Sequence, residues 1–301
     1  NYPPTFQTLL VPFSFAPYAM AFAAWSLLLL GGHVFVTRHF ASRSLLWPLL
    51  LFPGAILNLL GANGLVVAAL LGGGFLLLDR RPALAGVLFG LATFKPHLAW
   101  LVPFALFAGR RHRALVALLV TAAALFALSL LVCGSSAWSA FLARATHSTP
   151  VAASGSADWE RVPTLYTLLQ VLGFGKMLAG IVHGLVAIVA VVTTLRLWRV
   201  EAKPLVRSAA LVLALLVATP YARMYDFALL LVPIVALAEE MERRPRRSDR
   251  LLLSVAWIAP LVGFVVSAST AWLSLVPIAL LVRLVRADRN SDSPAPEPAA
   301  A

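Results

Sequence analysis

The chain is divided into long apolar runs that carry almost no charge, over residues 18–36, 65–78, 114–132, 177–195, 205–218, 227–238, 251–266 and 272–282. Only 12% of its residues are charged and 61% are hydrophobic, whereas a soluble domain carries about 25% charged residues. Lipid is therefore the expected solvent. There, only helices and closed barrels satisfy every backbone N–H and C=O, and unbroken apolar runs select helices. The pattern predicts an all-α, polytopic transmembrane fold. A span takes about 20 residues and several runs are shorter, so their ends recruit flanking residues or their helices are broken.

The net charge of +12 does not point to nucleic acid, because the basic residues come in short clusters that punctuate the apolar runs. Threading the chain from outside as eleven crossings puts nineteen of the 24 lysines and arginines on one side, near Arg38, Arg80, Arg110, Arg199, Arg246 and Arg286. Lys95, Arg144, Arg161, Lys176 and Arg223 fall elsewhere. Cytoplasmic loops carry the lysine and arginine excess, so the arginine side is read as cytoplasmic, in a multi-pass plasma-membrane (inner-membrane) protein.

This threading gives a transmembrane domain over residues 1–289 with about 11 membrane segments. The short segments 82–94 and 97–109, hinged at Lys95-Pro96-His97, are either two spans or a re-entrant hairpin. An external loop over 134–175 carries Trp138, Phe141, Leu142 and Ala145, then Leu165, Leu168, Leu169 and Leu172, at helical spacing. These read as two short interfacial helices, with a mobile stretch over 148–157 between them. The Pro-, Ala- and Ser-rich tail 290–301 reads as a disordered cytoplasmic segment. Cys133 stands alone, which excludes an internal disulfide and a thiolate cluster, and it is expected to pack at a helix end. The histidines lack ligand spacing and no phosphate-binding glycine loop appears, so neither metal nor cofactor is expected. The chain opens at Asn1 without a signal peptide and is read as an N-terminally truncated fragment.

Polar residues at membrane depth carry the functional information, because a charge there costs about 2.5–3.5 kcal/mol on insertion scales. Lys95 lies inside Gly90-Leu-Ala-Thr-Phe-Lys-Pro-His-Leu-Ala-Trp100, where Pro96 removes a backbone donor and breaks the helix. It is either a site residue in a polar cavity, with His97 as a second donor, or a snorkelling anchor. In Thr219-Pro-Tyr-Ala-Arg-Met-Tyr-Asp226, Arg223 and Asp226 stand i,i+3 and form either a structural pair or ligand contacts. Tyr221 and Tyr225 are site residues or interfacial aromatics. Asn58 and Asn63 flank Gly61 and Gly64, and at least one of them is expected to cap a helix.

The sequence resembles glycosyltransferase family 87, within the GT-C superfamily of polytopic membrane enzymes. Tyr2-Pro3-Pro4 with Pro12 resembles the family's Tyr-Pro-Pro start of a membrane helix. The turn from Asn58 to Gly64 resembles its asparagine and Gly-Gln-Asn turn, with Ala62 in place of glutamine. Residues 84–97 resemble its Leu-Ala-Gly…Gly-Leu…Lys-Pro-Gln segment, with His97 where glutamine is usual. Thr219-Pro220…Tyr225-Asp226 resembles its Ser/Thr-Pro…Tyr-Asp hairpin. Order and spacing agree across about residues 1–240.

The resemblance implies inverting transfer of a hexose, mannose above all, from a polyprenyl-phosphate sugar to a lipid or glycan acceptor of the cell envelope on the extracytoplasmic face. It also implies a general-base aspartate on a first external loop, expected upstream of Asn1. Lys95, His97, Arg223, Asp226, Tyr225 and Asn63 are the expected substrate-binding residues. A secondary transporter and a lipid flippase or O-antigen-type ligase are the alternatives. The crowding of odd polar residues toward one face favours an enzyme at an interface.

Overall fold

The structure is a computed structural model that describes residues 2–147, 162–243, 246–265 and 269–291. Its regular elements are all helices, with no strand among the described residues. In chain order the helices are α1 (Pro4–Leu10), α2 (Tyr18–Phe40), α3 (Leu46–Leu50), α4 (Pro53–Ile56), α5 (Gly64–Leu77), α6 (Pro82–Leu91) and α7 (Val102–Ala108). There follow α8 (His112–His147), α9 (Leu165–Val171), α10 (Lys176–Arg199), α11 (Pro204–Ala218), α12 (Leu231–Arg243), α13 (Arg247–Val265) and α14 (Leu275–Ser291). Proline sits in the first turn of α1, α4, α6 and α11, where its fixed φ suits a helix start and its missing N–H costs nothing.

Only four helices among the described residues are long and apolar enough to cross a membrane: α2, α8, α10 and α13. The expected count of about 11 crossings is therefore not met. The other apolar segments are helices of 10–17 residues, because prolines 48, 53, 82, 96 and 204 interrupt or start them. At 1.5 Å per residue such a helix rises about 15–25 Å, short of the ~30 Å hydrocarbon core.

Long and short helices are sorted by burial. The long ones lie at the rim and expose Leu27 and Leu28, Val116 and Leu131, Ile188 and Val189, and Phe264 and Val265. Such a surface is tolerated where lipid covers it. Among the short ones, α5 and α11 are mostly buried and fill the centre, while α6 and α7 keep exposed faces at Leu84, Val87, Phe104 and Phe107. On α11 every residue from Arg207 to Val217 is buried, and α11 packs against α10, α12 and α14.

Contacts gather the arginine-rich loops at one end. Asp79, after α5, pairs with Arg111 at 2.9 Å and with Arg207 of α11 at 3.1 Å. Ser42 and Ser44 donate to Glu242 of α12, and Arg283 forks onto Asp249 at 2.6 Å. The segments 82–94 and 96–108 start and finish at this end, as the Asp79–Arg111 pair requires.

Gly134, at φ 76° and ψ 165°, breaks α8. Beyond it Trp138 turns back, donating to Ser129 at 3.0 Å and meeting the Phe126 ring at 4.8 Å. The expected helix around Trp138 thus packs on the outer turns of α8. The second expected helix is α9, and both the stretch 148–157 and most of the tail 290–301 lie outside the described residues. Cys133 ends the straight part of α8, its thiol near the Pro4 carbonyl and the Thr8 hydroxyl of α1.

Candidate functional site

Lys95 lies between two short 3₁₀ turns, Ala92–Phe94 and Pro96–Leu98, with an extended backbone at φ −111° and ψ 78°. Pro96 cannot donate to the turn before it, so the helix from Pro82 stops here. The lysine side chain is 2% exposed. Its ammonium lies 2.5 Å from Oδ1 of Asp226, itself 1% exposed, and 4.5 Å from the centre of the Tyr225 ring. Removing one partner of such a pair leaves a buried charge uncompensated, at a cost of about 3–5 kcal/mol. The expected open polar cavity around Lys95 is therefore not seen: Asp226 and Tyr225 close over the charge.

Of the two alternatives for Arg223 and Asp226, the side-chain ion pair is not formed. Oδ2 of Asp226 accepts the backbone N–H of Arg223 at 2.9 Å. An i,i+3 side-chain pair needs both residues on a regular helix. Arg223 instead precedes the 3₁₀ turn Met224–Leu230 with an extended backbone, φ −119° and ψ 158°. Its guanidinium lies 5.9 Å from the Tyr221 ring, half-exposed, and joins no ion pair among the described residues.

A second layer of contacts ties this pair to the N-terminal motifs. The Tyr2 hydroxyl donates to Oδ1 of Asn63 at 3.1 Å and lies 3.1 Å from the Tyr225 hydroxyl. Since the Tyr2 proton is used on Asn63, Tyr225 is the donor in the second contact. Asn58 is a three-way clamp. Its amide donates to the carbonyls of Gly54 at 2.6 Å and Tyr225 at 3.0 Å, and its oxygen accepts the Leu65 N–H at 2.9 Å. That last bond satisfies an orphan donor at the start of α5. Asn58 is thus the capping asparagine, while Asn63 caps nothing with its side chain and faces Tyr2. A Cβ on Gly64 would lie 2.0 Å from the Tyr225 carbonyl oxygen, so only glycine fits where the two segments meet.

His97 lies at the margin. Its ring edge faces Tyr221 at 6.1 Å, and its Nε2 is buried without a hydrogen-bond partner among the described residues. Tyr221 is 40% exposed and lies between His97 and Arg223. All six expected site residues thus lie in two adjoining groups. Lys95, Asp226, Tyr225 and Asn63 belong to the closed network, and His97 and Arg223 flank Tyr221. Tyr2, Asn58 and Gly64 join the closed network without being among the expected substrate-binding residues. Each stands in a quoted motif, but a tyrosine, an asparagine and a glycine carry no charge whose burial would single them out.

These features define a class: a helical membrane protein whose short central helices end in a buried polar network. The family model of glycosyltransferase family 87 matches residues 1–220, and the chain belongs to that family. No curated protein and no solved structure matches it. The matched span holds Tyr2, Asn58, Asn63, Lys95 and His97, and their partners Tyr225 and Asp226 lie just beyond it. Membership identifies a glycosyltransferase.

Proposed function

We propose that this protein transfers a hexose, mannose first among candidates, from a polyprenyl-phosphate sugar to a lipid or glycan acceptor on the extracytoplasmic side of the plasma membrane. The observation that carries the reading is the meeting of four motif segments in one network. That network lies at the far ends of α5, α11 and the 82–94 segment. Those helices start or finish at the arginine-rich end and rise about 20 Å. With the arginine end in the cytoplasm, the network lies in the outer half of the bilayer, within reach of a lipid-linked sugar.

In this reading Arg223 and His97 receive the donor phosphate, and the Lys95–Asp226 pair holds their two loops in register. Transfer forms a bond from an acceptor hydroxyl oxygen to the anomeric carbon and breaks that carbon's bond to the phosphate oxygen. Attack opposite the phosphate inverts the centre. Charge grows on the departing polyprenyl phosphate, where the Arg223 guanidinium and the His97 imidazole N–H stabilise it. The acceptor's proton passes to a general base. Asp226 is unsuited to that role, since Lys95 and the Arg223 N–H occupy its two oxygens.

The test is donor binding by Arg223→Gln beside His97→Ala. A charge-assisted contact is worth about 1.5–3 kcal/mol, so Arg223→Gln should weaken binding roughly ten- to hundredfold with an unchanged melting temperature. Wild-type donor affinity in Arg223→Gln would place the phosphate elsewhere.

A further inference from the structure

A second site lies at the opposite, arginine-rich end. A cleft of about 850 Å³ opens between the last turns of α2 and α5, the first turn of α11, and the ends of α12 and α14. Its inner wall is apolar, with Phe35, Phe75, Leu76, Leu205 and Leu284. Its lining includes the exposed Arg80 and Lys203, just after α5 and just before α11, and the half-buried Glu239 and Glu240 of α12. None of these four is in an ion pair among the described residues. Arg283 is within electrostatic reach of Glu240 and forks onto Asp249 through Nε and Nη2, leaving its buried Nη1 without a hydrogen-bond partner among the described residues. Asp79, also in the lining, is neutralised by Arg111 and Arg207.

Half-buried carboxylates are stable where a cation or N–H donor faces them. Here they share a cleft with two exposed cations and a greasy floor at the level of the membrane surface. We propose that this cleft binds an aminophospholipid: the phosphate meets Arg80 and Lys203, the primary ammonium meets Glu239 and Glu240, and the acyl chains cover the apolar wall. A purely anionic lipid leaves the two carboxylates facing its phosphate. A choline lipid brings a cation without N–H donors.

The full-length chain in detergent is titrated with phosphatidylethanolamine, phosphatidylcholine or phosphatidylglycerol, and bound lipid is counted by native mass spectrometry. Phosphatidylethanolamine should bind at least about tenfold tighter than the other two, since each charged hydrogen bond is worth that factor or more. Glu239→Gln with Glu240→Gln should abolish the preference, and Lys203→Met should weaken phosphatidylethanolamine and phosphatidylglycerol alike. Soluble glycerophosphoethanolamine, lacking acyl chains, should compete at least tenfold less well. Equal binding of the three lipids, a preference that survives the glutamine pair, or full competition by the soluble headgroup would each overturn the proposal.

Discussion

Lys95 and Asp226 are 131 residues apart, and each carries a charge that lipid would reject alone. The pair is closed by three more groups: the Tyr225 ring against the ammonium, the Arg223 N–H on Oδ2, and the Asn58 amide on the Tyr225 carbonyl. Its contribution is measurable as a coupling. Lys95→Met and Asp226→Asn should each destabilise by about 3–5 kcal/mol, because each strands a buried polar partner. The double variant should recover a large part of that loss. Thermal melts of the four proteins decide the matter, and additive losses would mean that the two side chains do not act as a pair. Arg223 belongs to the other category. It has no carboxylate to satisfy, so its loss should register in donor binding rather than in the melt.

At the scale of elements, close helix contact replaces the hydrophobic effect, which gives no drive between helices already in lipid. One close instance is α6 against α8. Gly86 and Gly90 are one turn apart, and a Cβ on them would lie 2.2 Å from the Ala114 carbonyl oxygen and 2.5 Å from Cβ of Thr121. Neither backbone nor a β-branched side chain yields easily, so Gly86→Ala should cost about 1–3 kcal/mol through overpacking. Gly31 of α2 has open space around its Cβ position, and Gly31→Ala should be neutral or stabilise by up to about 1 kcal/mol through helix propensity. Opposite shifts in melting temperature are the expected result. Equal shifts would show that the α6–α8 contact is looser than its geometry. The same packing holds the site, since the hinge at Lys95 is the tip of the arm that α6 begins.

For the whole molecule, the placement of the long helices at the rim and of α5 and α11 at the centre goes with two polar levels. One is the arginine end with its Asp79 and Asp249 pairs, and the other is the network around Lys95. The orientation is tested with single cysteines in a Cys133→Ser background. Gly175, at the start of α10, is exposed with no atom of the described residues near its Cβ position, and Ser248, at the start of α13, is exposed among arginines. An impermeant maleimide on intact cells should label Gly175→Cys and leave Ser248→Cys untouched. The reverse pattern would turn the molecule over and put the Lys95 network toward the cytoplasm.

The sequence by itself determined the solvent, the helical class, the gathering of arginines at one end and the segments of interest. Each of these follows from local composition. Apolar runs demand lipid, Pro96 and Pro204 mark where helices stop and start, and a lysine between Phe94 and Pro96 is conspicuous wherever the chain goes. How many helices cross was not legible, because an apolar run of 14 residues such as α5 reads alike as a shallow span or as the buried arm of a hairpin. Partner choice was equally hidden. Arg223 is the near neighbour of Asp226 in sequence, yet the extended backbone at Arg223 turns its side chain away, and Lys95 arrives from another hairpin. Only the tertiary structure decided that, because the low dielectric of a packed interior rewards whichever opposite charge is brought into contact, and contact is set by how α5, α6 and α11 pack rather than by distance along the chain.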